Sequence, residues 1–529
     1  MNQRVIQTAD FWKNQFQITD EVFDTLYSFI KETGEPQSID AIGFFFVQYG
    51  IGEHERKIRS ELTQGSMYLP SQDYAVDDQI IFPHMGFAVG KVVATRPGYN
   101  PIDEDFTVLE VVFEDQGELR ASFAANLQTS HALLITSTDN DTTGAGTSIQ
   151  KIYGQFQHII RPKIEEALRS HDDYIEFNQT WYLKELLIEV QEGLLNIVDA
   201  AIDINNGPLN VDALIEHIDL EGSGHITEAL RFSVSYCLQQ DERFENVGTE
   251  ENVQWYLNRL KPEYVKRPPR RLQTSEQPFD IQLLDSEQRA LLAEIDDETT
   301  PVENAKPFDP GAASATFVVN YHHRRLGTLP VLPSVRHLLP QADGRTVALQ
   351  LIDGRTGDTM LCWYVSRYKY ILGLAEWYVK YQLPVGVVLT LTKTEIPTQL
   401  VIDFIPQRVQ HEYVRVAIAR DSRLIFEEKR RRLTCRYDQL MIIGEEGSEK
   451  IDALWDKAEK EDWSVPFILK QIMPELVRLS SQGAVHIKTI YSAVNVLKRC
   501  SPGLLMQELI GEESMVSMGH GYWTYRPAK

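Results

Sequence analysis

The chain has 529 residues, 43% of them hydrophobic, with 76 Asp and Glu against 52 Lys and Arg for a formal net charge of -24. That length predicts about three to five domains, and the apolar share excludes global disorder. The acidic total argues against a simple nucleic-acid binder, no run approaches the roughly 18 apolar residues of a membrane-spanning helix, and Met1-Asn2-Gln3-Arg4 leads into no signal-like segment, so the expected location is cytoplasmic. Cys237, Cys362, Cys435 and Cys500 form no CxxC pair and have no His at ligand spacing, which argues against disulfides and a structural zinc site.

Residues 1–66 read as helical. Thr19-Asp20 caps a helix ending near Gly34, with Val22, Phe23, Leu26, Phe29 and Ile30 on its apolar face. Further helices at 39–49 and 53–63 match a helix-turn-helix start and equally a small helical bundle. Residues 67–131 change to β-branched runs at 74–83, 87–96, 107–114 and 118–124, predicting a small barrel, and the Thr-, Asp- and Gly-rich 132–150 reads as a linker. Residues 151–265 read as a pair of winged-helix-like modules, with helices at 152–170, 184–204, 211–218 and 226–240 and hairpins at 174–183 and 243–257. The segment 266–315 is Pro-rich and then acidic (Asp296-Asp297-Glu298), an extended linker with a helical island near 286–294.

Residues 316–443 read mainly as strands, at 317–320, 347–352, 358–366, 385–392 and 399–404, with a short helix at 374–381 and a strand pair at 411–419 and 423–435. The last segment, 444–529, is helical and ends in a module of its own. A helix over 486–500 stops at Ser501-Pro502-Gly503, a short helix covers 504–510, and a hairpin turns at Gly519-His520-Gly521. These elements predict an α+β multidomain protein of several winged-helix-like α/β modules plus small antiparallel β-barrels.

An architectural repeat runs through the chain. Three times a helix leads into a strand, a polar or Gly turn and an aromatic pair: Phe177 with Trp181-Tyr182, Val247-Gly248 with Trp255-Tyr256, and Met518-Gly519 with Tyr522-Trp523. The second and third closings, within 196–257 and 484–527, resemble HARE-type winged helices, the class that includes the RNA polymerase delta subunit. Tyr74-Ala75-Val76-Asp77-Asp78 through Phe82-Pro83, followed by Gly90-Lys91-Val92-Val93, resembles the SH3-like barrels of CarD-like and Tudor-like modules, which frame a groove for a protein or nucleic-acid partner. Trp363-Tyr364-Val365, Trp377-Tyr378 and the Gly386 turn, within 345–404, resemble a B3-type DNA-binding pseudobarrel.

Charge is distributed unevenly. Residues 317–436 hold 18 Lys and Arg and 10 Asp and Glu, a balance of 18 - 10 = +8 that leaves -32 for the remainder. A basic segment in an acidic chain is a candidate polyanion site, because Lys and Arg displace counterions condensed on phosphates. Two sets of residues stand out: Arg415, Arg423, Arg430, Arg431 and Arg432 on the strand pair, and Lys488, Ser492, Asn495 and Arg499 at i, i+4, i+7 and i+11. In one continuous helix that second set forms a polar stripe opposite Ile490, Tyr491, Val494 and Leu497, and the alternative is an ordinary amphipathic helix. The middle module offers an acidic turn, Gly248-Thr249-Glu250-Glu251-Asn252, unsuited to phosphate.

Catalytic motifs are absent: no GxSxG, Walker loop or HExxH occurs. His322-His323-Arg324-Arg325 reads as a solvated basic turn rather than a ligand pair, and Asp403, Glu412 and Asp438 are a weak candidate set for a metal-dependent nuclease. The expectation is a non-enzymatic, cofactor-free, transcription-associated factor. It would bind DNA through the basic β domain and the C-terminal module, and protein partners through the acidic N-terminal half. The alternative is a winged-helix scaffold that never touches nucleic acid. The sequence sets no oligomeric state.

Overall fold

Val22, Leu26 and Ile30 fall on one face of the helix Asp20–Thr33 and are buried, and Gly34 ends that helix in the left-handed region at φ 65°. The structure, a computed structural model, describes residues 8–61, 66–82, 88–99, 106–113, 119–127, 142–218, 226–274, 279 and 281–527. It is a mixed helix-and-sheet chain with one sheet curled into a half-barrel. It divides into two units, Met1–Val190 with Glu221–Cys237, and Gln191–Leu220 with Leu238–Lys529.

In the first unit the helices Asp20–Thr33, Ile39–Glu61 and Thr142–Arg169 pack round one core, and the short strand Gln37–Ser38 pairs with Thr180–Leu183 of the hairpin Tyr174–Phe177/Thr180–Leu183. Tyr174 donates to the Phe23 carbonyl at 3.0 Å, Tyr182 to the Gly34 carbonyl at 2.9 Å and Tyr153 to Asp40 at 2.8 Å, so aromatic hydroxyls tie the later elements to the earlier. Residues 11–51 and 152–183, expected to lie in separate domains, therefore share one sheet and one core. Between them a five-stranded sheet runs Ser66–Met67, Gln79–Phe82, Ala88–Pro97, Thr107–Phe113 and Leu119–Ala125, close to the strands read from the sequence. Part of the expected linker, from residue 142, belongs to the helix Thr142–Arg169, while 132–141 lies outside the described residues.

The second unit centres on a seven-stranded sheet. Its strands are β1 (Ser314–Val318), β2 (Thr328–Pro330), β3 (Thr346–Asp353), β4 (Thr359–Val365), β5 (Tyr370–Leu372), β6 (Val388–Lys393) and β7 (Gln399–Phe404), in the order β1-β6-β7-β3-β4-β5-β2. Only β3 and β7 are parallel. Alternating residues Val347, Leu349 and Leu351 with Leu389, Leu391, Leu400 and Ile402 build its core against Trp377 and Tyr378. Next come β8 (Pro406–Arg420) and β9 (Arg423–Cys435), a long two-stranded ribbon joined by β10 (Gly444–Glu446). The helices Ser448–Lys460 and Val465–Leu479 follow. The chain ends in the strand Val485–His486, the helices Ile487–Val494 and Pro502–Gly511, and the hairpin Met515–Gly519/Tyr522–Tyr525.

The two terminal modules share an element order: helix, two-residue strand, helix, helix, hairpin, with the short strand paired to the second hairpin strand in both. The middle segment repeats that order with helices Glu192–Asn205, Val211–His217 and Glu228–Gln240 and the strands Phe244–Asn246 and Trp255–Leu257, and Leu209 bridges to Trp255 in place of the short strand. The acidic turn of that middle hairpin faces the basic domain of its own chain. Arg345 meets Glu250 at 3.4 Å, the Ala348 N–H donates to the Val247 carbonyl at 2.7 Å, and Tyr256 packs against Trp363.

Segment 266–315 is not an extended linker. Asp285 and Gln288 form a capping box on the helix Ser286–Ile295, and Leu292 and Ile295 enter the core with Leu504, Leu505 and Leu509. The run Asp296-Asp297-Glu298, which composition alone assigns to solvent, enters the interior: Asp297 is 0% exposed and Glu298 7%.

Candidate nucleic-acid interface

The two arginine-bearing sets of the sequence have opposite fates. The C-terminal stripe is not a stripe. Its helix ends at Val494, because the Asn495 side chain takes over the backbone groups: Nδ2 donates to the carbonyls of Tyr491 (2.9 Å) and Cys500 (3.3 Å), and Oδ1 accepts from the Cys500 N–H (3.1 Å). Arg499 therefore lies beyond the helix that was to present it. Ser492, Asn495 and Arg499 are buried, and Lys488 keeps 13% of its side chain exposed. Ser492 donates to the Met441 carbonyl at 2.8 Å, and Lys488 bridges Asp438 (3.1 Å) and Glu294 (3.3 Å). The expected exposed nucleic-acid face is thus internal: Lys488 and Ser492 contact the loop after β9, Asn495 closes its own turn, and Arg499 turns to Asp297 and Glu298. At the hairpin turn beyond it the His520 N–H donates to Glu287 at 2.7 Å, while the His520 side chain stays exposed.

Arg499 belongs to a buried ionic network. Its guanidinium donates to Asp297 and Glu298, each at 2.7 Å, and Tyr491 donates to Asp297 at 2.8 Å. Burial alone lowers the pKa of Arg499, but the charges of Glu298 and Asp297 outweigh it and hold that pKa well above the ordinary value. Burial opposes ionisation of Glu298, yet Arg499 and His323 keep its pKa well below the usual carboxylate range. His322 and His323, expected in a solvated basic turn, are 1% and 0% exposed in the helix Tyr321–Leu326.

The ribbon of β8 and β9 remains at the surface. Register places His411 opposite Arg432, Tyr413 opposite Arg430, Arg415 opposite Glu428, and Ala417 opposite Phe426. Directly opposed residues of an antiparallel pair share a face, so this face is apolar towards the ribbon's turn and basic towards its base. The apolar end is buried: Ala417, Leu424 and Phe426 join the core beneath, with Arg478 donating to the Phe426 carbonyl at 3.1 Å. At the basic end Arg430, Arg432 and His411 are exposed, and Tyr413 is 71% exposed. Arg408 is exposed nearer the start of β8. Among the described residues no carboxylate lies within 4 Å of Arg408, Arg415, Arg430 or Arg432, and the Arg415 Nε–H has no acceptor.

The opposite face is neutralised: Lys429 pairs with Glu446 at 2.5 Å and Arg431 approaches the same carboxylate at 3.7 Å. Arg420, near the turn, lies 3.6 Å from Glu427, and Arg423 is exposed at the turn itself. The five ribbon arginines of the sequence reading therefore separate into Arg415, Arg430 and Arg432 on one face, Arg431 on the other, and Arg423 at the far end. Sequence reasoning named Arg408 on this strand pair but missed His411 and Tyr413 as neighbours of Arg415, Arg430 and Arg432. Alternation along a strand was the available signal, since 411, 413 and 415 share a parity. From His411 to Arg415 the face runs about 14 Å, at about 3.4 Å per residue.

The proposed nuclease carboxylates do not converge. Asp403 is held by Arg355 at 2.7 Å, Asp438 by Lys488, and Glu412 sits opposite Arg431 on the ribbon. Among the described residues the one group with metal-ligand proximity is Glu298, His322 and His323. No described helix is long and apolar enough to cross a membrane. No protein-family model, no curated protein and no solved structure matches the chain.

Proposed function

We propose that this chain is a non-enzymatic, nucleic-acid-binding multidomain protein of the transcription-associated kind, and that it contacts the phosphate backbone through the basic end of the β8–β9 ribbon. The observation that carries this reading is that Arg415, Arg430 and Arg432, on the ribbon face that bears the exposed ring of Tyr413, and Arg408, exposed nearer the start of β8, have no carboxylate within 4 Å among the described residues. By contrast Arg325 is paired with Glu445 and Asp452, and Arg499 with Asp297 and Glu298. A two-stranded ribbon fits the major groove of a duplex, and an exposed aromatic among cations suits the stacking of an unpaired base. The thrice-repeated helix–strand–helix–helix–hairpin order is that of a winged helix and supports the same class of protein. Here these modules act as the frame, because the C-terminal one is occupied internally and the middle one docks its turn on the basic domain.

Fluorescence anisotropy of the full chain with duplex and single-stranded oligonucleotides, with and without magnesium, tests the proposal. Binding at 50 mM salt with a Kd below about 10 μM, strongly weakened at 200 mM, is the expected result. No binding at 50 mM salt favours the protein scaffold, and cleavage with magnesium favours the nuclease.

A further inference from the structure

The Glu298 cluster has a feature that an ion-pair network alone leaves unexplained. Asp297 and Glu298 are two buried carboxylates that share one buried guanidinium, Arg499. Facing Glu298 are two imidazoles. His323 Nε2 lies 3.0 Å from Oε2, and His322 Nε2 lies 3.7 Å from Oε1. The ring of His322 is 1% exposed, and neither of its nitrogens has a hydrogen-bond partner. An imidazole sealed in the interior with both nitrogens unused costs stability unless something binds one of them. The Asn320 amide oxygen, on a residue whose nitrogen reaches Tyr491 at 3.4 Å, also has no partner.

We propose that Nε2 of His322, Nε2 of His323 and the Glu298 carboxylate form a structural site for one zinc-class divalent cation. Ligands about 2.0–2.2 Å from a tetrahedral ion stand about 3.4 Å apart, and the observed separations of 3.0 and 3.7 Å bracket that spacing. All the ligand atoms lie within 4.8 Å of one another. Two imidazoles and one carboxylate match the preference of zinc for nitrogen with a harder oxygen. His323 has the kind of supporting contact that metal-bound histidines use: its Nδ1 lies 2.8 Å from Thr328 Oγ1, which orients the ring with Nε2 towards Glu298. Arg499 and Tyr491 orient Asp297 and Glu298 from the other side. The ion would pin Glu298, just past the helix Ser286–Ile295, to the helix Tyr321–Leu326 and through Thr328 to β2.

The test uses the full chain, loaded with zinc and then dialysed, with metal measured by mass spectrometry. About one equivalent per chain is expected, along with visible absorption of a four-coordinate ion on cobalt(II) substitution and a Tm rise of about 3 °C or more at saturating zinc. His322→Leu removes a ligand while filling the same buried space. It should lose the bound metal and the zinc-dependent Tm rise, whereas His520→Ala, at a histidine whose side chain is 96% exposed, should keep both. The proposal is overturned if the wild-type chain holds less than about a tenth of an equivalent and its Tm ignores zinc. It is also overturned if His322→Leu binds as much metal as wild type. Should His322→Leu fail to fold, the wild-type stoichiometry and cobalt spectrum decide.

Discussion

Replacing Arg430 and Arg432 together by Ala tests the ribbon interface most directly. Both are exposed, and neither has an ion-pair partner among the described residues, so the folded state loses little. Surface changes of this kind stay within about 0.5 kcal/mol, and Tm should be unchanged within error. Binding should change greatly. With Arg408, Arg415, Arg430 and Arg432 each neutralising one phosphate, log Kd varies with log salt at a slope of about 3.6, at about 0.9 per contact on a duplex. Going from 50 to 200 mM salt then weakens wild-type binding about 150-fold. The double variant keeps two contacts, its slope falls to about 1.8, and the same salt step costs it only about 12-fold. The assay is an anisotropy titration at four salt concentrations on one duplex, with Arg420→Ala as control, because Arg420 is near the turn and faces Glu427. An unchanged slope in the double variant, or an equal change in the control, would refute the assignment of this face.

Three further outcomes follow from the interior. Arg499→Ala leaves Asp297 and Glu298 buried without their guanidinium and should destabilise the second unit by about 3–5 kcal/mol in urea unfolding, while Lys498→Ala, at a residue with a half-solvated pair to Asp462, should cost under about 1 kcal/mol. Asp353 is 1% exposed; burial opposes its charge, but the Tyr381 hydroxyl, the Arg355 N–H and Lys380 hold its pKa down at about 2. A depressed pKa means stability that is present above about pH 4 and lost as pH falls towards 2. The contribution is about 2 kcal/mol, and Asp353→Asn should show lower stability at pH 7 and a flatter acid limb in chemical denaturation. Gly327 stands at φ 68°, where an added Cβ would lie 2.6 Å from the Ala375 Cα, so Gly327→Ala should lower stability by about 2 kcal/mol or more. A smaller loss would show that the helix Ala375–Lys380 yields.

What the sequence determined by itself was local. Alternating β-branched residues located most strands of the seven-stranded sheet, with β7 at 399–404 as read, but β2 and β5, three residues each, were too short to carry a pattern. The charge count singled out the segment that contains the ribbon, and strand parity would have placed Tyr413 beside Arg415. The tertiary structure alone decided which polar groups face water. Lys488, Ser492, Asn495 and Arg499 satisfy the helix spacing of a binding stripe, yet Asn495 is spent on its own turn, and the partners of the other three, Asp438, Met441 and the pair Asp297 and Glu298, lie roughly 50 to 200 residues away in sequence. A buried ion pair and an exposed binding arginine look alike in sequence, because the difference is the presence of a distant carboxylate. The same holds for His322 and His323: their neighbours Arg324 and Arg325 suggest a surface turn, and only Glu298 folding back over them makes that turn a closed, polar interior site.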